Sequence, residues 1–358
     1  MQPCSKPPIF IVGAPRSGTT MLAAMLASHP EIAAGPETQF FSKLPGAALE
    51  KACEDANWPS DAVRLLLSLT LADQNVSTLF NTDEAQLTEH LAAQNPSISA
   101  ILEALTVPFA KAQDKARWAE KTPNHIQHLE TIRQLWPEAK IIRIIRDSRD
   151  VGLSTRKIPT FSDHILPNIY VWRDWNAGAE AFLEADAGSM TVRYEDIVDD
   201  AEGQLLRICD HIGEDFDPAM TRFESAAQSV SSTNESWKGQ VAEGMTASRK
   251  YAWKSDLPAD LRQVCDMVCH ELLVRHGYEH GPEPVETRTA YRLSRDYIEK
   301  QESVLIRDAA NGVRWLTADS PQTAARIVDH PQYSRFRDPA LLGRLFMGRA
   351  KSWFERLA

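Results

Sequence analysis

Short, fully apolar runs alternate along much of this chain with segments whose apolar residues recur at helical spacing. The first run, Pro-Ile-Phe-Ile-Val-Gly at residues 8–13, is rich in branched side chains and predicts a buried strand. Residues 20–28 follow with apolar side chains on one helical stripe, and Pro30 ends this helix because the residue before a proline disfavours helical geometry. The pattern predicts a strand, a loop and a helix.

The alternation of helices and strands returns after residue 120. The predicted elements are a helix over residues 126–135, a strand over 140–145, a helix beginning at Asp150, a strand over 190–193 and a helix over 202–212. Gly213 follows the last helix and can take the left-handed conformation that ends many helices. Because strands that alternate with helices form parallel sheets, we expect a three-layer α/β fold with helices on both faces of the sheet.

Two further regions contain no strand-like run. Residues 45–115 are leucine-rich and helix-like, with breaks at prolines, and predict a helical insertion. The composition changes again at residues 280–284, which places a domain boundary near residue 281. We expect an α/β domain over residues 1–280 and a helical carboxyl-terminal extension over residues 281–358.

Composition narrows the class of protein. With 358 residues, 43% of them hydrophobic and 25% charged, the chain can bury a sizeable core. Its 39 basic and 49 acidic residues give a formal net charge of -10, which opposes broad binding to nucleic acid or anionic membranes, so anion binding has to be local. The 5 cysteines lack Cys-x-x-Cys spacing, and His125 and His128 lack a third ligand, so we expect neither a disulfide framework nor a metal site.

Sequence features that govern membrane association point in two directions. The apolar run at residues 9–12 is too short for a secretory signal, and no run approaches the roughly 20 apolar residues of a membrane span, so we expect a cytoplasmic protein. Residues 338–358, however, place apolar side chains on one helical stripe with basic residues among the other positions. Such a helix suits peripheral membrane contact as well as docking on its own domain or on a second subunit, and both interpretations stay open, as does the oligomeric state.

The loop between the first strand and helix has the spacing of a nucleotide-phosphate site. Residues 13–20 read Gly-Ala-Pro-Arg-Ser-Gly-Thr-Thr, so backbone N–H groups and the positive end of the helix converge on one point. Thr19 stands where NTPases carry a lysine, and the positive charge comes from Arg16 instead. The loop predicts an anion site in a P-loop-like fold.

Charged residues follow the second predicted strand. It continues into Arg-Asp-Ser-Arg-Asp at residues 146–150, and Ser154 lies on the next helix. Because the carboxyl ends of strands line the ligand crevice in an open α/β sheet, Arg146 and Ser154 are predicted to hold a second phosphate. The alternative is that Arg146 forms surface ion pairs with Asp147 or Asp150.

Four segments together resemble the sulfotransferases that use 3′-phosphoadenosine-5′-phosphosulfate (PAPS), and they are most similar to the bacterial, protein-tyrosine and carbohydrate branch. They are Pro15–Thr20, Glu120–Pro123, Arg146–Asp150 with Ser154, and Arg193–Asp196, in this order within residues 8–280. The resemblance implies PAPS as the sulfuryl donor, no metal cofactor, and an acceptor that bears a hydroxyl, whether a carbohydrate, a lipid, a peptide or a small alcohol.

The resemblance also implies which residues contact the donor. A phosphosulfate loop and a 3′-phosphate clamp are expected, with Lys250 or Arg249 reaching the 3′-phosphate. Tyr194 is expected near the nucleotide, and the alternative is a buried tyrosine whose hydroxyl is satisfied within the protein. The implied donor contacts are Arg16, Ser17, Gly18, Thr19, Thr20, Arg146, Ser154, Tyr194 and Lys250.

Catalytic roles follow from the same resemblance. It places a general base at Glu37, and a carboxylate positioned to take the proton of an acceptor hydroxyl contributes roughly 10²- to 10⁴-fold in rate. Arg16 and Lys121 are the expected cations that stabilise charge on the departing nucleotide. For Lys121 the alternatives are simple pairing with its neighbour Glu120 or capping of the next helix.

Two other functions compete with sulfuryl transfer. A kinase-like phosphotransferase could use Asp147 as a magnesium ligand, but Thr19 replaces the lysine that it needs. A non-catalytic nucleotide-binding scaffold would not need Glu37 and Arg146 together with the loop. The sequence therefore favours the sulfotransferase.

Overall fold

The computed structural model describes residues 6–156, 158, 161, 165–231 and 250–281. Contacts along the backbone separate two compact units. The first contains Met1–Arg146 and Gly178–Lys250, and the second contains Asp147–Ala177 and Tyr251–Ala358. The amphipathic helix predicted at residues 338–358, and the rest of the predicted extension from residue 282 onward, lie outside the described residues.

A five-stranded parallel sheet forms the centre of the first unit. Its strands are β1 (Ile9–Val12), β2 (Ile32–Ala34), β5 (Arg117–Lys121), β6 (Lys140–Ile145) and β7 (Ser189–Arg193), in the order β2-β5-β1-β6-β7. A separate hairpin consists of β3 (Thr70–Leu71) and β4 (Gln74–Asn75). The three strands predicted from apolar runs are β1, β6 and β7, and the parallel α/β arrangement is confirmed.

Successive side chains of β1 point to opposite faces of this sheet and divide the core into two layers. Phe10 packs against Trp118 and Trp136 on one face, with ring centroids 5.6 and 5.1 Å apart. Ile9 and Ile11 pack into the layer on the other face. The strand is apolar on both sides because both of its faces are covered, which is typical of parallel sheets.

Helices form the two outer layers, as a three-layer fold requires. The layer of Ile9 and Ile11 includes α1 (Thr19–Ala27), α11 (Tyr194–Asp199) and α12 (Ala201–Ile212). On the face of Phe10, Trp136 follows α8 (Leu129–Leu135) and donates a hydrogen bond of 2.7 Å to Glu103 on α7 (Ile98–Lys111). The order of elements matches the predicted P-loop-like architecture.

Further helices occupy the chain between β2 and β5. They are α2 (Phe40–Lys43), α3 (Gly46–Ala52), α4 (Ser60–Ser68), α5 (Val76–Leu79), α6 (Glu84–Ala92) and α7. The side chains of Asp83 and Ser97 cap α6 and α7 by accepting hydrogen bonds from backbone N–H groups of the first turn. Local capping thus starts α6 and α7, the last two helices before β5.

The apolar pattern did not predict β2 and β5. β2 has only three residues, and β5 reads Arg-Trp-Ala-Glu-Lys yet is buried at every position. Its charged side chains are buried with partners: Arg117, for example, donates hydrogen bonds of 2.5 and 2.7 Å to the carbonyls of Pro7 and Ile212. A strand with compensated charges escapes a search for apolar runs.

A buried arginine organises the second unit. Its helices are α9 (Ser148–Thr155), the part of α10 (Ile165–Ala185) up to residue 177, α13 (Trp253–Asp256) and α14 (Ala259–Arg275). Arg149 forms ion pairs with Asp147 at 2.7 Å and with Asp266 at 2.6 Å. Its guanidinium also lies 3.5 Å from the centre of the Trp253 ring. The charges that follow β6 therefore pack inside this unit.

Cys265 and Cys269 lie one turn apart on α14 and are both buried, as the sequence predicts. Burial raises the pKa of the Cys269 thiol to about 12 and raises that of Cys265 well above its ordinary value. Both side chains therefore act as small apolar groups.

Gly213 allows a test of how α12 ends. It has φ 74° and ψ 43°, the left-handed conformation predicted from the sequence. Gly213→Ala is expected to lower the free energy of unfolding by about 1 kcal/mol, because a β-carbon is strained in this conformation. Gly46→Ala is the matched control: an added β-carbon would have no atom within 4 Å. Urea unfolding should show no loss of stability for the control, and equal losses would contradict the assignment.

Candidate functional site

The sheet places the glycine loop of residues 13–20 between two charged strand ends. β1 lies between β5 and β6. The loop therefore begins beside Lys121, which ends β5, and beside Arg146, which follows β6. The backbone N–H of Gly13 donates to the carbonyl of Pro123 at 3.2 Å. This carboxyl edge is where open α/β sheets bind their ligands.

Two glycines of the loop are required by close contacts. A β-carbon on Gly13 would lie 2.4 Å from the carbonyl oxygen of Ile144, and one on Gly18 would lie 2.6 Å from the Tyr194 ring. Gly18 also has φ 105°, which side chains rarely adopt. The loop backbone therefore runs directly against β6 and against the first residue of α11.

The loop has the features of an anion site. Ser17 is fully buried, and its Oγ has no hydrogen-bond partner among the described residues. No side chain caps the start of α1, so the first N–H groups at Thr19 and Thr20 carry the positive end of the helix. Arg16 has φ 68°, a conformation that non-glycine residues adopt at a cost and that is common at binding sites. A phosphate or sulfate group fits these donors.

Arg146 directs a second positive charge towards the loop. Its guanidinium lies 4.5 Å from the centre of the Tyr194 ring, and its Nη1 donates to the carbonyl of Arg16 at 3.3 Å. Tyr194 begins α11 directly after β7 and is buried against Gly18. The structure thus brings together Arg16, Arg146 and Tyr194, which the sequence analysis singled out separately.

Glu37 and Lys121 meet in a buried ion pair. Lys121 Nζ donates to Glu37 Oε1 at 3.2 Å, and the two side chains are 0% and 8% exposed, respectively. Gln39 Nε2 donates to the second carboxylate oxygen, Oε2, at 2.6 Å. Each oxygen of the Glu37 carboxylate therefore has a hydrogen-bond donor. Lys121 therefore pairs with Glu37 and not with its neighbour Glu120, the alternative considered above.

Glu120 occupies a separate pocket on the opposite face of β5. It accepts hydrogen bonds from Thr38, Thr122 and His125 and is almost completely buried. Burial alone raises the pKa of its carboxyl, but the electrostatic effect of the His125 ring and the three hydrogen bonds outweigh burial and lower that pKa below its ordinary value. The carboxylate is therefore ionised at neutral pH.

The other two predicted donor contacts lie on different parts of the chain. Ser154 lies on α9 in the second unit, and its joint action with Arg146 stays a prediction. Lys250 forms an ion pair with Asp199 at the end of α11 in the first unit.

Asp147 and Asp150, which the sequence offered as ion-pair partners for Arg146, make contacts within the second unit. Asp147 pairs with Arg149 in the second unit. Asp150 accepts hydrogen bonds from the backbone N–H groups of residues 251 and 253, at 2.7 and 3.0 Å. Both carboxylates are buried and committed to this unit.

The described residues lack both a cluster of metal ligands and a helix that could span a membrane. They contain no group of three or more His, Cys, Asp or Glu residues that could hold a metal ion. His125 and His128 instead contact the ring of Phe41, with centroid distances of 5.1 and 5.6 Å. None of the helices in this part of the chain is long and apolar enough to cross a membrane.

Sequence reasoning missed several polar residues that contact the two buried carboxylates of the site. Thr38, Gln39 and His125 all contact the Glu37 or Glu120 carboxylates. The available signal was the polar run at residues 37–39, but its partners lie more than 80 residues away along the chain.

A phosphate-type loop at the carboxyl edge of a parallel sheet, beside a buried Glu–Lys pair, is typical of P-loop-like group-transfer enzymes. The sequence model of the Sulfotransferase family matches residues 7–218, more than half of the chain, and the chain belongs to this family. It is 24% identical over 290 residues to protein-tyrosine sulfotransferase A of Caenorhabditis elegans, covering 78% of this chain and 69% of that protein.

A bacterial relative is also similar in sequence, and a solved structure is similar in fold. Omega-hydroxy-beta-dihydromenaquinone-9 sulfotransferase Stf3 of Mycobacterium bovis is 29% identical over 188 residues, which cover 48% of this chain and 44% of that protein. The sulfotransferase domain from the curacin biosynthetic pathway is similar in fold, with a TM-score of 0.56, 22% identity, and coverage of 77% of this chain and 99% of the domain. The protein is a sulfotransferase.

The Glu37–Lys121 contact predicts a measurable coupling. Lys121→Met leaves the buried Glu37 carboxylate without its cation and is expected to lower the free energy of unfolding by about 3–5 kcal/mol. A double-mutant cycle with Glu37→Gln, followed by urea unfolding, should give a coupling energy above about 1 kcal/mol.

The exposed pair Arg64–Asp61 is the matched control for this cycle. Its side chains are 76% and 26% exposed, and the coupling is expected to stay below about 1 kcal/mol because solvent screens it. A coupling at Glu37–Lys121 no larger than that of the control would contradict the buried pair.

Proposed function

We propose that this sulfotransferase uses PAPS as donor and transfers its sulfuryl group to an acceptor hydroxyl by in-line displacement, with Glu37 as general base. The observation that supports this most directly is the buried Glu37–Lys121 pair. It combines a proton acceptor with a cation at the strand end beside the glycine loop.

The donor would lie along the loop and the ends of β6 and β7. Ser17 Oγ, the loop N–H groups and the positive end of α1 would bind the 5′-phosphosulfate, together with Arg16, Gly18, Thr19 and Thr20. Arg146, supported by the Tyr194 ring, offers a guanidinium fork to the 3′-phosphate. Lys250 is a further donor contact in this proposal. When bound, PAPS supplies the sulfuryl group that is transferred.

Glu37 would take the proton of the attacking hydroxyl at a carboxylate oxygen. Each oxygen has two lone pairs, so Oε1 and Oε2 can accept a further hydrogen bond beside Lys121 and Gln39. Lys121 and Arg16 would stabilise negative charge on the departing nucleotide, since group transfers of this kind depend mainly on alignment and electrostatics.

The acceptor is proposed only as a hydroxyl-bearing molecule. The names of two relatives specify protein tyrosine and an omega-hydroxylated menaquinone, both of which present a hydroxyl. A screen for this chain would use tyrosine peptides, lipid alcohols, carbohydrates and small alcohols with ³⁵S-labelled PAPS.

Donor binding is tested by calorimetric titration with 3′,5′-adenosine bisphosphate and, separately, with ATP and magnesium. We expect tight binding of the bisphosphate and about 10- to 100-fold weaker binding to Arg146→Ala, because one charge-assisted hydrogen-bonding group is lost. Arg64→Ala, at an exposed position, is the control and should bind as the parent does. A preference for magnesium ATP would overturn the donor assignment.

The base assignment is tested with Glu37→Gln, which keeps the shape of the side chain and removes its basicity. Turnover with the acceptor from the screen should fall roughly 10²- to 10⁴-fold, while affinity for the bisphosphate stays unchanged. Glu103→Gln is the matched control because Glu103 lies on α7 and bonds to Trp136. Parental turnover by Glu37→Gln would remove Glu37 as the base.

A further inference from the structure

Three consecutive backbone N–H groups at the start of α2 donate to three different side chains. The N–H groups of Gln39, Phe40 and Phe41 each lie 3.3 Å from their acceptors. The acceptors are Thr122 Oγ1, Thr38 Oγ1 and His125 Nε2, in the same order.

All three acceptor side chains donate in turn to the single carboxylate of Glu120. Thr122 and Thr38 donate to Oε1 at 2.5 and 2.8 Å. His125 Nδ1 lies 2.8 Å from Oε2. Nε2 of this ring accepts the Phe41 N–H, and the N–H at Nδ1 points at Glu120. We call these six hydrogen bonds the Glu120 relay.

The direction of every bond in the relay requires an acceptor at its centre. A backbone N–H can only donate, so each of the three side chains accepts a hydrogen bond from the backbone and donates one to Glu120. An ionised carboxylate accepts the hydrogen bonds of all three side chains. An amide in its place would replace one oxygen by an NH₂ donor, which would face at least one of these donating side chains. The low pKa of the Glu120 carboxyl agrees with this requirement.

The relay ends on the residues that hold Glu37. Thr38 follows Glu37 directly, and Gln39 donates to Glu37 Oε2 at 2.6 Å. Gln39 has φ 55°, a conformation that a non-glycine residue keeps only when its surroundings hold it there. The relay supplies that restraint through the Gln39 N–H.

We infer that Glu120 is a positioning residue for the sulfuryl-transfer reaction: through the relay it fixes the turn of residues 37–41 and thereby aims the Glu37 carboxylate. Glu120 acts through Glu37 and does not itself contact the reacting groups. The inference rests on the proposed role of Glu37 as base.

The first test compares Glu120→Gln, Glu37→Gln and the double variant. Slow transfer from ³⁵S-labelled PAPS to water, measured as released sulfate, serves as the assay because water is an acceptor of known identity. We expect Glu120→Gln to lower kcat about 10- to 100-fold with the donor KM within about twofold of the parent, since misplacing the base affects only the chemical step. In the Glu37→Gln background the same change should have almost no further effect.

The outcomes separate this inference from the proposed function. Slow turnover by Glu37→Gln together with parental turnover by Glu120→Gln overturns the inference alone, as do fully additive losses. Parental turnover by Glu37→Gln overturns the proposed base and the inference with it.

A second pair of variants keeps the test decisive if Glu120→Gln does not fold. Thr38→Val removes one hydroxyl of the relay at nearly constant volume, and Thr38→Ser restores that hydroxyl. We expect kcat to fall about 5- to 50-fold for Val and to return to within about threefold for Ser. Thr106→Val is the matched control, because this buried threonine bonds only within its own helix, to Leu102.

Hydrogen–deuterium exchange gives a readout that does not depend on activity. In Glu120→Gln or Thr38→Val, amides of the peptide covering residues 38–44 should exchange at least about tenfold faster, while those of α1 stay unchanged. Parental exchange in this peptide would overturn the relay.

Discussion

The alternation of side chains at the end of β5 is the constraint on which the site depends. Glu120 lies in register with Phe10 and Lys121 with Ile11, so the two charges enter opposite faces of the sheet. A buried charge is costly unless partners compensate it, so each needs its own set of contacts. Residues 37–41 contribute to both sets, with Glu37 for Lys121 and Thr38 for Glu120, and this requirement restricts where that segment crosses the end of the sheet.

Rigid placement of charge suits the chemistry of the family. Group transfer of this kind asks the protein for little covalent work and much alignment, so the useful property of the site is that its charges are already oriented. The glycine loop is held by close backbone contacts to Ile144 and Tyr194, and Arg146 is held by the ring of Tyr194 and the carbonyl of Arg16. The charged groups therefore lie at the ends of strands or in turns that pack against strands, which fixes their positions.

The charged run at residues 146–150 contributes side chains to both compact units. Arg146 ends the first unit and contacts the Tyr194 ring beside the glycine loop, whereas Asp147 and Arg149 form the buried charge cluster of the second unit with Asp266. Asp150 accepts backbone N–H groups from the start of the later segment of that unit. A run of charges that could have been solvent-exposed is thus almost wholly structural, apart from its first arginine.

The sequence by itself determined the elements whose signals are local. Apolar runs located β1, β6 and β7, and Gly213 marked the end of α12. Only the tertiary structure decided that β2 and β5 complete the sheet, that Glu37 faces Lys121, and that Glu120 is the acceptor for three side chains. The physical reason is that a charged residue can be buried only with its partner, and here the partners lie up to 84 residues apart, where periodicity carries no information about them.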